Sequence, residues 1–288
     1  MLLGIDWRMD SQLVEGWSVP NLYGLLFVSG LIIGYFVIKR MFKSEGIPQE
    51  WLDSLLMYVV VATIIGARLG HVFFYEWDYY KTHLSEIPKV WQGGLASHGG
   101  AIAILIALFI FSRKVTKKSM FWILDRIVAP IAIAGCFIRL GNLVNHEIVG
   151  KPTNLPWGFK FWHESASNLV YMNGDLVHVY RHPAQLYESI SYLIIFMFLL
   201  YLFWKTKLKL KQGFIFGVFL VILWGARFMV EFVKIGQADR DENLLLNTGQ
   251  LLSIPFIIGG LIIIYLAYFG ILNKYIGKTG KNSSIKEF

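Results

Sequence analysis

The stretch FWILDRIVAPIAIAGCFIRLGNLVNHEIVG, Phe121 to Gly150, decides how this 288-residue chain folds. Phe121 to Val144 is apolar enough, and long enough, to cross about 30 Å of hydrocarbon. Within it and just past it, Arg139, Asn142 and Asn145 recur every third residue and Glu147 follows. On a helix that spacing stacks the polar side chains along one face, and on a membrane helix such a face must look into the protein. A guanidinium at the bilayer centre costs roughly 2.5–3.5 kcal/mol on insertion scales, so a chain that keeps one there uses it. The stretch therefore predicts a membrane-spanning helix with a buried, cation-centred polar site. Such a site suits an anion, and the commonest anions in a membrane are lipid phosphates.

Working outward, the remaining sequence has the same character. Hydrophobic residues make up 56% and charged residues 16%, where an ordinary soluble domain has about 25% charged. Seven spans are read: about Leu22 to Val37, Leu52 to Phe74, Leu95 to Phe111, Phe121 to Val144, Leu186 to Trp204, Phe214 to Val233 and Leu251 to Leu272. The expected fold is an all-α polytopic membrane protein forming one domain over residues 1–288, with a small periplasmic cap at about 145–183. In the cap, Asn168 to Val179 alternates around an Asn173-Gly174 turn signal and reads as a hairpin.

Lysine and arginine set the orientation. Lys39, Arg40 and Lys43, then Arg113 to Lys118, Lys205 to Lys211, and Lys274 to Lys286 form dense collars after alternate spans. The opposite segments carry a sparser set that includes Arg8, Lys81, Lys160 and Arg240. The N-terminus is expected outside and the C-terminus in the cytoplasm. The net charge of +8 belongs to these collars, which suit an anionic inner leaflet rather than nucleic acid. MLLGIDWRMD has no basic region before an apolar run, so no cleavable signal peptide is expected. Trp51, Tyr75, Trp77, Trp91, Trp157 and Trp204 read as an interfacial belt.

Several polar groups inside or beside these spans are candidates for chemistry. His98 lies in GGLASHGGAIAIL among glycines that permit close approach of a ligand or a second helix; near neutral pH an imidazole suits a general base. RHPAQLYES brings His182, Gln185 and Glu188 into the start of the fifth span, with Pro183 suited to its first turn. LWGARFMVEFVK spaces Arg227 and Glu231 for a pair on one helix face. Arg68 offers a further cation, and Tyr23 a hydroxyl or an interfacial anchor. Asp125 and Arg126 read as structural. The single cysteine, Cys136, reads as a packing residue, and no Cys/His spacing builds a metal site.

These motifs, in this order, resemble the prolipoprotein diacylglyceryl transferases, bacterial inner-membrane enzymes. The resemblance runs from about Tyr23 to Ser253. It rests on Arg139-Leu140-Gly141-Asn142 with Asn145, Glu147 and Gly150, on the HGG at His98, on HP-x-QLYE at His182 to Glu188, on R-x-x-x-EF at Arg227 and on GQ-x-x-S at Gly249. The chain departs from the family's usual pattern at Ser97, His146, Leu223 and Lys234. The resemblance implies a seven-helix enzyme needing no cofactor, which moves diacylglyceryl from phosphatidylglycerol to the lipobox cysteine of a preprolipoprotein signal peptide and releases glycerol 1-phosphate. It implies that His98, Arg139 and Arg227 are essential and that Tyr23, Asn142, Glu147 and Gly150 matter.

The residues alone suit that chemistry. A thioether requires a thiolate, from a cysteine of pKa about 8.5, and stabilisation of a departing phosphate. Arg139 and Arg227 are expected to bind the phosphate with Arg68 as a third cation, and His98 to assist thiol deprotonation. Asn142, Asn145 and Glu147 are expected to hold the head group, with His182, Glu188 and Glu231 framing substrate. The rival reading is a phospholipid-binding or transport protein without chemistry. An intramembrane protease is disfavoured, because Asp125 falls toward one side of the membrane and Glu188 and Glu231 toward the other.

Overall fold

A computed structural model describes residues 4–14, 20–162, 169–172, 175–235 and 245–272. The Asn173-Gly174 turn, Arg240 and the lysines from Lys274 onward lie outside the described residues. The helices are α1 (Leu22–Ser44), α2 (Gln49–Phe74), α3 (Trp77–Tyr80), α4 (Ser97–Phe111), α5 (Met120–Val144), α6 (Ala184–Lys205), α7 (Phe214–Val230) and α8 (Thr248–Tyr268). Seven of them are long and apolar enough to cross a membrane; α4 reaches that length with a π-helical turn through Thr116, and α7 with a 3₁₀ turn through Val233. The chain is a multi-pass membrane protein. Residues such as Leu31, Phe36, Ile65, Ile106, Ile194 and Leu261 stay exposed on the helices, as lipid-facing side chains must.

The helices divide between two compact units. One is built from the described residues up to Val37 and from Asp125 onward; the other is Ile38–Leu124. In the first, α1 meets α5 where Gly34 lies against the Pro130 carbonyl, at 3.4 Å from the position a Cβ would take. Asp125 accepts from Gly213 N at 2.7 Å and Phe216 N at 2.8 Å, capping the start of α7. Cys136 is buried with its Sγ 3.2 Å from Ser189 Oγ, a packing position.

The cap of this unit has more sheet than expected. β3 (Leu169–Met172) and β4 (Asp175–His178) pair antiparallel as the expected hairpin. A second sheet has the order β1-β2-β5: β1 (Ile5–Trp7) runs parallel to β2 (Phe159–Phe161), which pairs antiparallel with β5 (Tyr180–Arg181). Strands of two or three residues carry little alternation, so this sheet leaves almost no periodic trace in the sequence. It is fastened by packing: Trp7 donates to Leu143 O at 3.1 Å and lies on the cluster of Leu143, Val149, Phe159 and Phe161.

In the other unit, α2 and α4 cross with their backbones nearly touching. A Cβ on Gly99 would lie 2.6 Å from Gly70 Cα and would overlap the Gly66 carbonyl. The glycines beside His98 therefore serve helix packing, one of the two uses their sequence allows. α4 begins later than expected, at Ser97, because Gly93 and Gly94 adopt positive φ (87° and 69°) that continues no right-handed helix.

Candidate active site

The polar face of α5 is a connected relay. Arg139 donates from Nη1 to Asn142 Oδ1 at 3.2 Å. Asn142, thereby oriented, donates from Nδ2 to Glu147 Oε2 at 3.0 Å. Asn145 donates to the other carboxylate oxygen of Glu147 at 3.0 Å. The helix ends at Val144, and His146 (φ 56°) and Ile148 (φ 58°) then take left-handed conformations on either side of Glu147. For a β-branched residue such as Ile148 that costs on the order of 1–3 kcal/mol. Buried Val149 and the crossing at Gly150 hold the turn in place.

That crossing explains Gly150. Its N–H donates to His182 O at 3.0 Å, and Lys151 N donates to Val233 O at 2.7 Å. A Cβ on Gly150 would overlap His182 O and lie 2.8 Å from Val233 O. Gly150, which the family resemblance marks as mattering, lets three backbone segments meet. The His182 ring faces the Tyr187 hydroxyl, 3.3 Å from Nδ1, and that hydroxyl accepts from Trp157 Nε1 at 2.9 Å. Burial pushes the His182 imidazole below its ordinary range.

Beneath Arg139 lies a buried ion network centred on Glu188. Glu188 is 0% exposed, with Arg139 Nε 3.0 Å from one carboxylate oxygen and Lys234 Nζ 2.8 Å from the other. Lys234, itself 2% exposed, also lies 3.5 Å from Glu231. The spacing had paired Glu231 with Arg227. That pairing does not form, because α7 ends at Val230 and Glu231 opens a 3₁₀ turn that points its carboxylate to Lys234 instead. Gly249 makes room for that carboxylate, since a Cβ there would lie 2.5 Å from Glu231 Cδ. Asn247 and Gln250 cap each other at the start of α8, and Asn247 Nδ2 reaches Glu231 O at 3.2 Å. The GQ-x-x-S motif thus supports Glu231.

Arg227 is left with its guanidinium over the Trp224 ring at 5.3 Å and with Nε buried and unpartnered. Among the described residues it has no carboxylate partner. Tyr23 packs its ring on Gly141, 2.7 Å from where a Cβ would stand. Gln185, fully buried, donates to the Glu147 carbonyl. Glu147 and Asn145 line a cleft of about 540 Å³ with Arg8 to Gln12, His146 and Trp162. Arg8 lies 4.4 Å above the Trp162 ring, and His146 Nε2 is 2.8 Å from Met9 O.

Two expected residues belong to the other unit. His98 is exposed on the first turn of α4, its ring 5.5 Å from that of Tyr75, in a cavity of about 260 Å³ shared with His71, Leu95, Ala96 and Ser97. Arg68 departs from expectation. It is 3% exposed and donates to the carbonyls of Glu86 (2.8 Å), Ile87 (2.8 Å) and Gly93 (2.7 Å), so its planar fork is occupied by the protein's own backbone.

Sequence reasoning missed Lys234 as a network member, since a lysine just past an apolar run reads as an interfacial anchor. It also missed the N-terminal strand and Arg8 to Gln12, which no local pattern marks. The departure from family pattern at position 234 was the one available signal.

The profile of the family described as prolipoprotein diacylglyceryl transferase matches residues 16–266. Curated relatives named phosphatidylglycerol–prolipoprotein diacylglyceryl transferase include those of Tolumonas auensis (42% identical, covering 91% of this chain and 96% of the relative), Porphyromonas gingivalis (44%, 91% and 94%) and Chloroherpeton thalassium (43%, 91% and 93%).

Proposed function

The chain belongs to the prolipoprotein diacylglyceryl transferase family, and on that footing we propose how its residues carry out the reaction its relatives are named for. It is a transferase of lipoprotein biosynthesis that takes phosphatidylglycerol and a prolipoprotein as substrates. The acceptor is the lipobox cysteine of a preprolipoprotein. Its thiolate attacks the phosphate-bearing carbon of the diacylated glycerol; a C–S bond forms, that carbon's C–O bond to phosphate breaks, and the head-group glycerol leaves as glycerol 1-phosphate. The thiol proton goes to a base, and nothing is oxidised or reduced.

The observation that carries the reading is the imbalance of the buried charges. Arg139 and Lys234 are matched by Glu188 and Glu231, whereas Arg227 keeps a buried donor without an acceptor. Arg227 is half-buried, and a buried guanidinium N–H left without an acceptor is costly; a phosphate supplies both charge and acceptors. Arg227 takes the phosphate, with Arg139 presenting the outer edge of its fork. Asn145 and Glu147, the latter oriented by Asn142, hold the glycerol head group at the 540 Å³ cleft. Glu188 and Glu231 hold the two cations in place, and His182 belongs to the acceptor side. The role of His98 as the base, and of Tyr23 as a contact to the lipid, rests on the family resemblance. The enzyme works in the bacterial inner membrane, with its N-terminus outside; the lysine and arginine collars support that orientation.

The test uses purified protein in detergent, phosphatidylglycerol labelled in an acyl chain, and a lipobox peptide with a Cys→Ser control. Label should enter the cysteine peptide alone, as a base-stable thioether. Binding of the lipid without transfer to either peptide would make the chain a lipid-binding protein instead.

A further inference from the structure

We propose that Arg68 is a positioning residue, which fixes the Glu86–Gly94 loop and through it the placement of His98 on α4. The proposal rests on the reading of His98 as the base. Arg68 lies on α2, buried, with no carboxylate partner among the described residues; its hydrogen bonds go to backbone carbonyls. Nε reaches Ile87 O at 2.8 Å, Nη2 reaches Glu86 O at 2.8 Å, and Nη1 reaches Gly93 O at 2.7 Å and Gly94 O at 3.4 Å. The Tyr80 ring covers the guanidinium at 5.0 Å. Carbonyl oxygens converging in this way repel one another unless a cation with several donors sits among them, and a planar fork reaches both ends of the loop at once.

The loop leads directly into His98. Gly93 and Gly94 hold positive φ, and a Cβ on Gly94 would lie 2.9 Å from Arg68 Nη1 and 2.5 Å from the His71 ring. Two residues on, Ala96 N donates to Ala67 O at 2.8 Å, tying the start of α4 to the residue beside Arg68. His98 follows, on the 260 Å³ cavity. With the clamp loosened, the first turn of α4 keeps its glycine contact with α2 but loses the fixed approach of the chain that precedes it. Misplacement of a reacting group by about 1 Å costs about a hundredfold in rate.

The experiment uses the full-length enzyme in detergent with phosphatidylglycerol and the lipobox peptide. Arg68→Lys should lower kcat about a hundredfold and change KM for the lipid less than about threefold, the signature of a group that does not itself bind the lipid. Amide hydrogen exchange over 86–94, followed in the lipid-free protein, should quicken about tenfold or more. In a His98→Gln background the same substitution should cost no more than about a further twofold, since it acts through that side chain. Gly94→Ala, which leaves Arg68 in place but crowds it, should reproduce the kcat loss. A raised KM with kcat kept and exchange unchanged would overturn the proposal and make Arg68 a lipid ligand. Multiplicative losses in the double variant, or a wild-type kcat in Gly94→Ala, would equally overturn it. Should the wild type fail to transfer lipid at all, the functional reading fails, while the exchange measurement still decides whether Arg68 holds the loop.

Discussion

Replacing Lys234 by Met tests the ion network under Arg139. At an effective dielectric of about 20, an ammonium 2.8 Å from the Glu188 carboxylate gains about 6 kcal/mol, and the 3.5 Å approach to Glu231 about 5 kcal/mol. Most of that offsets desolvation of a lysine only 2% exposed. What Lys234→Met leaves behind is the larger effect: Glu188, fully buried, keeps one partner, and Glu231 loses its ammonium. Breaking a buried pair in this way costs about 3–5 kcal/mol, or a fall of about 6–20 °C in melting temperature for a chain of this size. Lys234→Arg retains the charge and should lose less than about 1 kcal/mol, within the usual cost of a tolerated exchange. The double variant Glu188→Gln/Lys234→Met removes both charges and should be more stable than the sum of its singles by at least about 1 kcal/mol. Unfolding would be followed by tryptophan fluorescence in one detergent at one lipid content. A Lys234→Met protein within about 1 kcal/mol of wild type, or strict additivity in the double variant, would refute the network.

Arg139→Lys should fail in transfer nearly as badly as Arg139→Ala while remaining folded, because one ammonium cannot reach Glu188 and Asn142 together and still present a fork to phosphate; near-normal turnover with saturating phosphatidylglycerol would contradict bidentate clamping. Gly150→Ala should cost about 3 kcal/mol or more, as its Cβ meets His182 and Val233 backbone, read as lost yield and melting temperature. Cys136→Ala should keep most transfer activity, whereas a lipid adduct on Cys136 in mass spectra would establish a covalent enzyme intermediate. His182 has a depressed pKa, so the folded protein binds fewer protons than the unfolded one and loses stability as pH falls through about 6.5; His182→Gln should flatten the melting-temperature profile between about pH 7 and 5, and an unchanged profile would place the titration elsewhere.

The membrane architecture was legible in the sequence because lipid removes alternatives. A segment crossing hydrocarbon must close its own hydrogen bonds and stay apolar for about 20 residues, so each of the seven helices leaves a local, countable trace. The relay from Arg139 to Asn142 was legible for the same reason, being a spacing within one helix. The relay's end at Glu147 already depends on the turn at His146, which periodicity does not describe. The partners of the buried charges were not legible at all. Glu188 and Lys234 meet across 46 residues, Glu231 leaves Arg227 because the helix stops one residue earlier, and Arg68 turns to carbonyls 18 to 26 residues away. By itself the sequence determined which residues had to be inside a membrane protein and along which helix faces they lay, since both follow from the period of the chain. Only the tertiary structure decided which charge neutralises which, because that depends on where helices end and which backbones glycine lets touch.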